Sequence, residues 1–365
     1  MKFSGDQSEM LFFLQACMKI APQRSTIPSL EGIYLSCYKN VLDLSATNLE
    51  VGIRCHLPVK TLKEGAVVLP TKLAEIIRLV NDQQVDIEIG DNFNALIKCS
   101  KVNFQLKGLD PLDFPEIPVM EMDSDWAIKT DLFKDMLKQT IFCASGDEGK
   151  APLTGILFSI GKDRLTLTSS DSFRLSVRKG AIENISGKEM QFIVPLKILT
   201  EIIKFNFSEE KIQVKVDEKK QILFKIDNFL FFSKLLDEKY PAIERVIPNE
   251  FNTTITAGKN DLISCLQRII LISEGNNFIT KIEVRDKAAL FKANSEMGSV
   301  EEEVDIEKEG EDVDIFLNSR FLIEPLRYID MEKIQLNFRE ANGPCVLKLY
   351  PQKDDYLYLV LPIKS

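Results

Sequence analysis

Histidine is all but missing: His56 is the only one in 365 residues. A triad in which an imidazole takes a proton from serine or cysteine would have this residue alone to use. A lone histidine beside a strand, in Cys55-His-Leu-Pro58, reads as structural. The seven cysteines (Cys17, Cys37, Cys55, Cys99, Cys143, Cys265, Cys345) are scattered and never spaced as Cys-x-x-Cys. They suggest neither a disulfide framework nor a zinc site, and read as reduced, mostly buried small apolar residues. Gly146-Asp-Glu-Gly-Lys-Ala151 lacks the spacing of a phosphate-binding loop, and no Gly-x-Gly-x-x-Gly follows a strand. No apolar run approaches the ~18 residues needed to span a bilayer. Met1-Lys-Phe-Ser-Gly-Asp6 has the pattern of neither a signal peptide nor an anchor, so a cytoplasmic protein with no membrane partner is expected. Neither a cofactor nor a metal is expected.

What is present suits a globular chain: 45% hydrophobic and 28% charged residues, enough for two or three cored domains. The formal net charge of −9 argues against nucleic acid spread over the outer surface, but does not say where the cations sit.

The chain is organised around Gly155–Val177, which reads as a strand, a polar turn and two further short strands. The same pattern runs from Gly32 to Ile53 and, more loosely, from Lys281 to Val300. Gly32 to Gly155 is a step of 123 residues and Pro70 to Pro195 one of 125, so the protein is a threefold repeat. Each copy reads helix, strands, helix, strands. The predicted helices are Asp6–Ile20, Thr71–Val80, Asp131–Ala144 with Thr130 as cap, Leu196–Phe205, Asp261–Ile272, and Ser319–Ile329 capped by Asn318. In the first, Met10, Leu11, Leu14, Cys17 and Met18 form the expected buried stripe. Pro325 should kink the last helix or shift its start. Pro248–Asn252 resembles a linker. The architecture expected is α+β, antiparallel sheets backed on one side by helices, with boundaries giving 1–124, 125–248 and 249–365.

One helix position is basic in every copy: Lys72, Lys197 and Arg320 each stand two residues after Pro70, Pro195 or Asn318. Arg78, Lys204 and Arg327 follow one to two turns later. On the first helices Lys138 and Arg268 are equivalent, with Lys19 and Lys134 nearby and Arg24 just beyond. The helices are net positive, so the rest of the chain carries the acidic excess. For any one residue an ordinary solvated helix face would be the default. Recurrence in three copies favours a cationic surface that binds phosphates without reading bases.

Asp171, in Ser169-Ser-Asp-Ser172, reads as a turn residue rather than a catalytic acid. The acidic run Glu301–Asp312 would suit a cation, but Val304 and Ile306 alternate within it, as in a strand with a charged outer face.

Several motifs in order, Leu153-Thr-Gly-Ile-Leu-Phe158, Thr168-Ser-Ser-Asp-Ser-Phe-Arg-Leu175, Phe231-Phe-Ser-Lys-Leu-Leu-Asp237, Tyr240-Pro-Ala-Ile-Glu-Arg-Val-Ile-Pro248 and Leu359-Val-Leu-Pro-Ile363, make the chain resemble the bacterial sliding clamps, the beta subunit of the replicative DNA polymerase III. The resemblance covers the whole length. It implies a head-to-tail homodimer of three DNA-clamp domains per chain, closing a ring around duplex DNA with helices inside and sheets outside. Such a protein is a processivity factor and not an enzyme, holding DNA through Lys19, Arg24, Lys72, Arg78, Lys134, Lys138, Lys197, Lys204, Arg268, Arg320 and Arg327. The replicative polymerase, the clamp loader and other proteins with a clamp-binding motif would seat a peptide in a cleft. The matching positions are Lys150, Leu153, Ser170, Ser172, Phe173, Arg174, Leu175, Pro241, Arg245, Val246, Pro344, Leu359, Val360, Leu361, Pro362 and Ile363, an apolar pocket with cations at its rim. The dimer contact would set Lys101, Phe104 and Leu106 against Leu271, Ile272, Glu301, Glu302 and Glu303. Two departures bear on the cleft: Lys150 replaces a frequent arginine and Phe173 a frequent histidine. The rival expectations are a homo-oligomeric scaffold that does not bind DNA and a hydrolase on a triplicated α+β scaffold.

Overall fold

The organising stretch of each repeat folds into three consecutive antiparallel strands: Gly32–Tyr38, Val41–Thr47, Val51–Pro58; Gly155–Ile160, Arg164–Ser170, Arg174–Ala181; and Ile279–Arg285, Ala288–Ser295, Gly298–Gly310. The computed structural model describes residues 1–80, 83–99, 101–119, 123–340, 342–351 and 355–363. Six α-helices are present among them: α1 (Gln7–Ile20), α2 (Lys72–Leu79), α3 (Thr130–Lys138), α4 (Leu196–Lys204), α5 (Lys259–Ser273) and α6 (Ser319–Leu326).

The chain forms two compact units. One comprises Met1–Thr130 with Lys197–Leu235, the other Asp131–Leu196 with Leu236–Ser365, so the middle repeat contributes to both.

In the first unit, α1 packs on Val41–Thr47, Val51–Pro58 and α2. A small sheet orders Lys60–Lys63, Lys2–Asp6, Gln84–Ile89, Asn94–Cys99 and Val102–Lys107, which leaves the last strand at an edge. In a larger sheet the first and middle repeats join directly: Phe229–Lys234 pairs with Val51–Pro58, Phe231 opposite Ile53.

The second unit is built on a twelve-stranded antiparallel sheet. Arg174–Ala181 pairs with Tyr356–Val360, Leu175 opposite Leu359, which carries the middle repeat into the last. The period of two sends successive side chains to opposite faces. Tyr356, Tyr358 and Val360 enter the core beneath α5 and α6, whereas Leu175, Val346 and Leu359 cluster on the other face. Gly180 admits α3 to the sheet: a Cβ there would lie 2.4 Å from the Met136 sulfur.

Several expectations change. Each repeat opens on a strand rather than a helix, at Lys2–Asp6, Trp126–Lys129 and Thr253–Gly258. Helix α1 buries Met10, Phe13, Leu14, Ala16, Cys17 and Ile20, while Leu11 is half-buried and Met18 is exposed. Helix α3 ends at Lys138, and Ile141–Cys143 forms a separate 3-10 turn. The Thr140 hydroxyl donates to the Met136 carbonyl at 2.8 Å and lies 3.3 Å from that of Leu137, satisfying groups that a longer helix would have used.

The cap of α6 is as expected: the Asn318 side chain accepts from the Arg320 and Phe321 amides. Pro325, however, sits in the last turn and the helix stops at Leu326. A proline cannot donate to the carbonyl four residues before it. That carbonyl, of Phe321, accepts from the Tyr358 hydroxyl at 2.7 Å instead.

Candidate peptide cleft and cationic helix faces

On the sheet face opposite the helices, within the second unit, a pocket of about 210 Å³ is lined by Leu153, Ser170, Ser172, Arg174, Leu175, Pro241, Ala242, Ile243, Val246, Leu359 and Leu361. Small-molecule sites run to ~300–1,000 Å³. A smaller, apolar well suits one or two aliphatic side chains of a peptide. Nine of the predicted cleft residues meet here, from three stretches of the chain, within Leu153–Leu175, Pro241–Val246 and Leu359–Leu361. Ala242 and Ile243 were not foreseen; the signal was there, in an apolar pair after Tyr240-Pro241.

The wall made by Ser170–Leu175 is a rigid turn. Asp171 accepts from the Phe173 amide at 2.9 Å, the Arg174 amide at 3.0 Å and Arg174 Nε at 2.9 Å, as a turn residue should. Ser170 Oγ donates to the Arg174 carbonyl at 2.8 Å. Ser172 is held at φ 83°, a left-handed conformation that costs a non-glycine residue of order 1–3 kcal/mol. The Leu361 amide donates to the Phe173 carbonyl at 2.9 Å, and the Ile363 amide to Phe316 at 2.8 Å, so the C-terminal tail is tied along this wall. The turn presents the Phe173 ring outward, 58% exposed.

The rim cations differ from one another. The Arg174 guanidinium donates to Asp171, to Glu324 on α6 and to the Phe142 carbonyl, and stacks 4.3 Å from the Phe321 ring centre. Burial opposes its charge, yet Tyr358, Cys143 and Glu324 raise its pKa above an already high value, so it is a permanent cation. Each of its three nitrogens donates within the protein, so it braces the wall rather than offering a free charge. Of the other two rim cations, Lys150 is half-buried and Arg245 exposed. Lys150 lies over Phe173. Val360 faces the helix-side core, Pro344 is half-buried before Cys345–Tyr350, and Pro362 and Ile363 are half-buried in the tail.

Ten of the eleven predicted DNA-facing cations lie on a helix or at the residue closing one. Arg24 stands in the segment after α1. Lys72, Lys197 and Arg320 are exposed at the starts of α2, α4 and α6, as are Arg78, Lys204 and Arg327 at their ends. Lys72 pairs with Glu75 at 2.7 Å, Lys204 with Glu201 at 2.7 Å and Lys138 with Asp135 at 3.3 Å, all within their own helices. Lys19 lies 5.0 Å from the Phe205 ring and Arg320 4.8 Å from that of Phe278. Lys134 is half-buried on α3. Arg24, Arg78, Lys197 and Arg327 make no ion pair among the described residues. Arg268 is different: its Nε donates to Glu302 at 2.7 Å and its Nη2 to the other oxygen. That hydrogen bond pulls the Glu302 pKa below the usual carboxylate range.

Two strand edges bear on the predicted dimer contact. Among the described residues Val102–Lys107 pairs only with Asn94–Cys99, and it carries half-buried Phe104 and Leu106 after the exposed Lys101. Among the described residues, Gly298–Asp305 pairs with Ala288–Ser295 alone, and Ile306–Gly310 pairs with Thr253–Ala257 instead. Beside Gly298–Asp305 lie exposed Glu301 and Glu303, and Leu271, 68% exposed near the end of α5, with Ile272 half-buried.

Among the described residues no three of His, Cys, Asp and Glu gather as a metal site would require, and no helix is long and apolar enough to cross a membrane.

Family models of the DNA polymerase III beta subunit match the chain in three successive stretches: the N-terminal domain over residues 1–118, the central domain over 127–242 and the C-terminal domain over 244–364. A beta sliding clamp of Halalkalibacterium halodurans is 33% identical over 364 residues, covering 95% of each chain. That of Bacillus subtilis is 28% identical over 379 residues and covers both chains completely. Among solved structures, the DNA polymerase sliding clamp from Bacillus subtilis matches with a TM-score of 0.96 at 28% identity, over 100% of this chain and 99% of its own. The DNA polymerase III beta subunit from Thermotoga maritima matches with a TM-score of 0.91 at 26% identity over 100% and 99%.

Proposed function

The chain belongs to the family of the bacterial DNA polymerase III beta subunit, the sliding clamp, and from that premise we propose how its parts do the work. It is a DNA sliding clamp, a processivity factor and not an enzyme. Three modules, residues 1–124, 125–248 and 249–365, double by head-to-tail association into a ring that encloses duplex DNA in the cytoplasm. The open edge at Val102–Lys107 supplies Lys101, Phe104 and Leu106; the open edge at Gly298–Asp305 supplies the acidic side, with Leu271 and Ile272 beside it. Edge pairing with one basic and one acidic partner favours closure in one sense.

The observation that carries the DNA-binding part is the recurrence of an exposed cation at one helix position in all three copies, Lys72, Lys197 and Arg320. A topological ring needs numerous, weak, base-blind phosphate contacts, since strong ones would stop it sliding. The apolar pocket beside Leu175 then tethers the replicative polymerase, the clamp loader and other partners by a short peptide. Tethering raises an enzyme's effective concentration at the primer end, and avidity gains of roughly 10²–10⁴ follow without chemistry in the ring.

The test combines size in solution with retention on DNA. A dimer that stays on closed circular DNA and runs off the same DNA once linearised supports the ring. Loss at equal rates from both, with peptide binding intact, would favour the scaffold that does not hold DNA.

A further inference from the structure

Next to the small pocket, on the same outer sheet face of the second unit, lies a larger groove of about 520 Å³. Ser159, Thr166 and Thr168 from adjacent strands line it beside the apolar Leu157, Val177 and Leu357. Lys179 and Lys348 stand at its sides. Neither makes an ion pair among the described residues, and the Lys348 ammonium lies 5.2 Å over the Phe251 ring. The one acid that lines the groove, Asp355, pairs through Oδ2 with the Arg178 guanidinium at 2.7 Å, so the two lysines outnumber it. The groove is therefore cationic in a protein whose net charge is −9. Ile243 lines both the groove and the small pocket, so the two are continuous past a single side chain.

We infer that the groove is a second subsite of the peptide cleft, one that takes an extended acidic flank of the same partner segment whose apolar side chains fill the small pocket. The inference rests on the reading of the small pocket as a peptide site. The apolar anchor is seated by Leu175, Val246 and Leu361; a chain leaving it past Ile243 runs along this lining, where the hydroxyls of Ser159, Thr166 and Thr168 offer its backbone donors and acceptors, and its carboxylates reach Lys179 and Lys348. Lys179 and Lys348 lie on the groove side of the anchor, so they select partners by the charge of the residues flanking the motif on that side.

The experiment uses full-length protein and a peptide selected on it from a random heptapeptide library. The peptide is synthesised alone and with four aspartates added at either end. At 50 mM salt one of the two extensions is expected to tighten binding roughly fivefold, the yield of two exposed charge pairs. That gain should vanish in the Lys179→Gln, Lys348→Gln double variant, whose melting temperature and affinity for the unextended peptide stay unchanged. No gain from either extension, or a gain that survives the double variant, overturns the inference while leaving the small pocket standing. If the unextended peptide binds Val246→Asp as well as the unaltered protein, the small-pocket reading falls and the groove falls with it.

Discussion

The ammonium of Lys150 lies 5.4 Å from the centre of the Phe173 ring. Two residues of the predicted cleft thus meet in space, as a cation resting on an aromatic face. At an exposed site such a contact contributes about 0.5–1 kcal/mol. It engages the Lys150 charge and holds the ring over the mouth of the cleft, where the Asp171 turn has already fixed the backbone. Phe173→Ala should weaken partner-peptide binding by about three- to tenfold, the equivalent of losing one aromatic contact. Phe173→His should fall between. Titration calorimetry decides it, and an unchanged Kd for the alanine variant would remove Phe173 from the site.

Val246 and Leu361 are 48% and 37% exposed, whereas Leu175, in the same pocket, is 2% exposed. The three therefore separate binding from folding. Leu175→Ala empties a packed cluster with Val346 and Leu359 and should cost about 2–5 kcal/mol of stability. Val246→Ala and Leu361→Ala remove half-solvated surface and should change stability by less than about 0.5 kcal/mol. Each should still weaken peptide binding about tenfold, because a partner buries what the free protein leaves exposed. Thermal melts beside peptide titrations test the split; parallel losses of stability and affinity at all three positions would contradict it.

The apolar residues of this pocket were legible because they fall in contiguous motifs. The part played by Arg174 was not. Read along the chain it is one more rim cation, but it is spent on Glu324, 150 residues away, and on the Phe142 carbonyl. Arg268 escaped in the same way, since Glu302 reaches it from another element. Pairing across distant segments leaves no periodic trace, whereas Lys72, Lys197 and Arg320 could be found by the repeat. The strands that open each repeat were missed because Lys2–Asp6 buries Ser4 and Gly5 beside Phe3, so burial there is not written in hydrophobicity. Trp126–Lys129 is only four residues long.

Tyr358 is 1% exposed, and its hydroxyl serves the carbonyl that Pro325 cannot. Tyr358→Phe keeps the ring and strands that acceptor in the core, for a cost of about 1–3 kcal/mol. Combining it with Pro325→Ala restores a backbone donor in the last turn of α6. The double variant should recover much of the loss, and chemical denaturation of the four proteins closes the cycle. Equal loss with and without the proline would show that the hydroxyl does not act through Phe321.

The last repeat carries a ladder of ion pairs: Lys281 with Glu283 at 2.7 Å and Asp314 at 3.2 Å, Lys292 with Glu283 at 3.1 Å, and Lys308 with Asp312. The Lys281 hydrogen bond lowers the Glu283 pKa below its ordinary 4.5, and the Lys308 hydrogen bond lowers that of Asp312 below 3.8. A carboxylate whose pKa is depressed on folding binds fewer protons folded than unfolded. Its contribution is complete above the unfolded values and is lost as pH falls through the lower folded ones. The melting temperature should therefore be insensitive to these groups above about pH 5 and decline below about pH 4. Lys281→Met should make the decline shallower while lowering the neutral-pH value slightly. An acid limb of identical steepness in the variant would show that the ladder is not what titrates.

Cations on the helices divide by what already occupies them. Arg268 is held by both oxygens of Glu302, whereas Lys197 makes no ion pair among the described residues and Lys72 and Lys204 pair only with exposed or partly exposed glutamates one turn away. Taking Arg268 to a phosphate means first breaking a two-point carboxylate pair, which offsets the gain. Each lysine that does reach a phosphate contributes about 0.9 to the slope of log affinity against log salt. Replacing Lys72, Lys197 and Arg320 by glutamate should therefore lower retention on circular DNA steeply and flatten its salt dependence. Arg268→Gln should leave that slope almost unchanged, and its effect should fall instead on the strand that carries Glu302. Retention measured across a salt series on nicked circular DNA separates the two outcomes: a slope lost with Arg268 and kept without the other three would reverse the assignment of which helix cations meet the backbone.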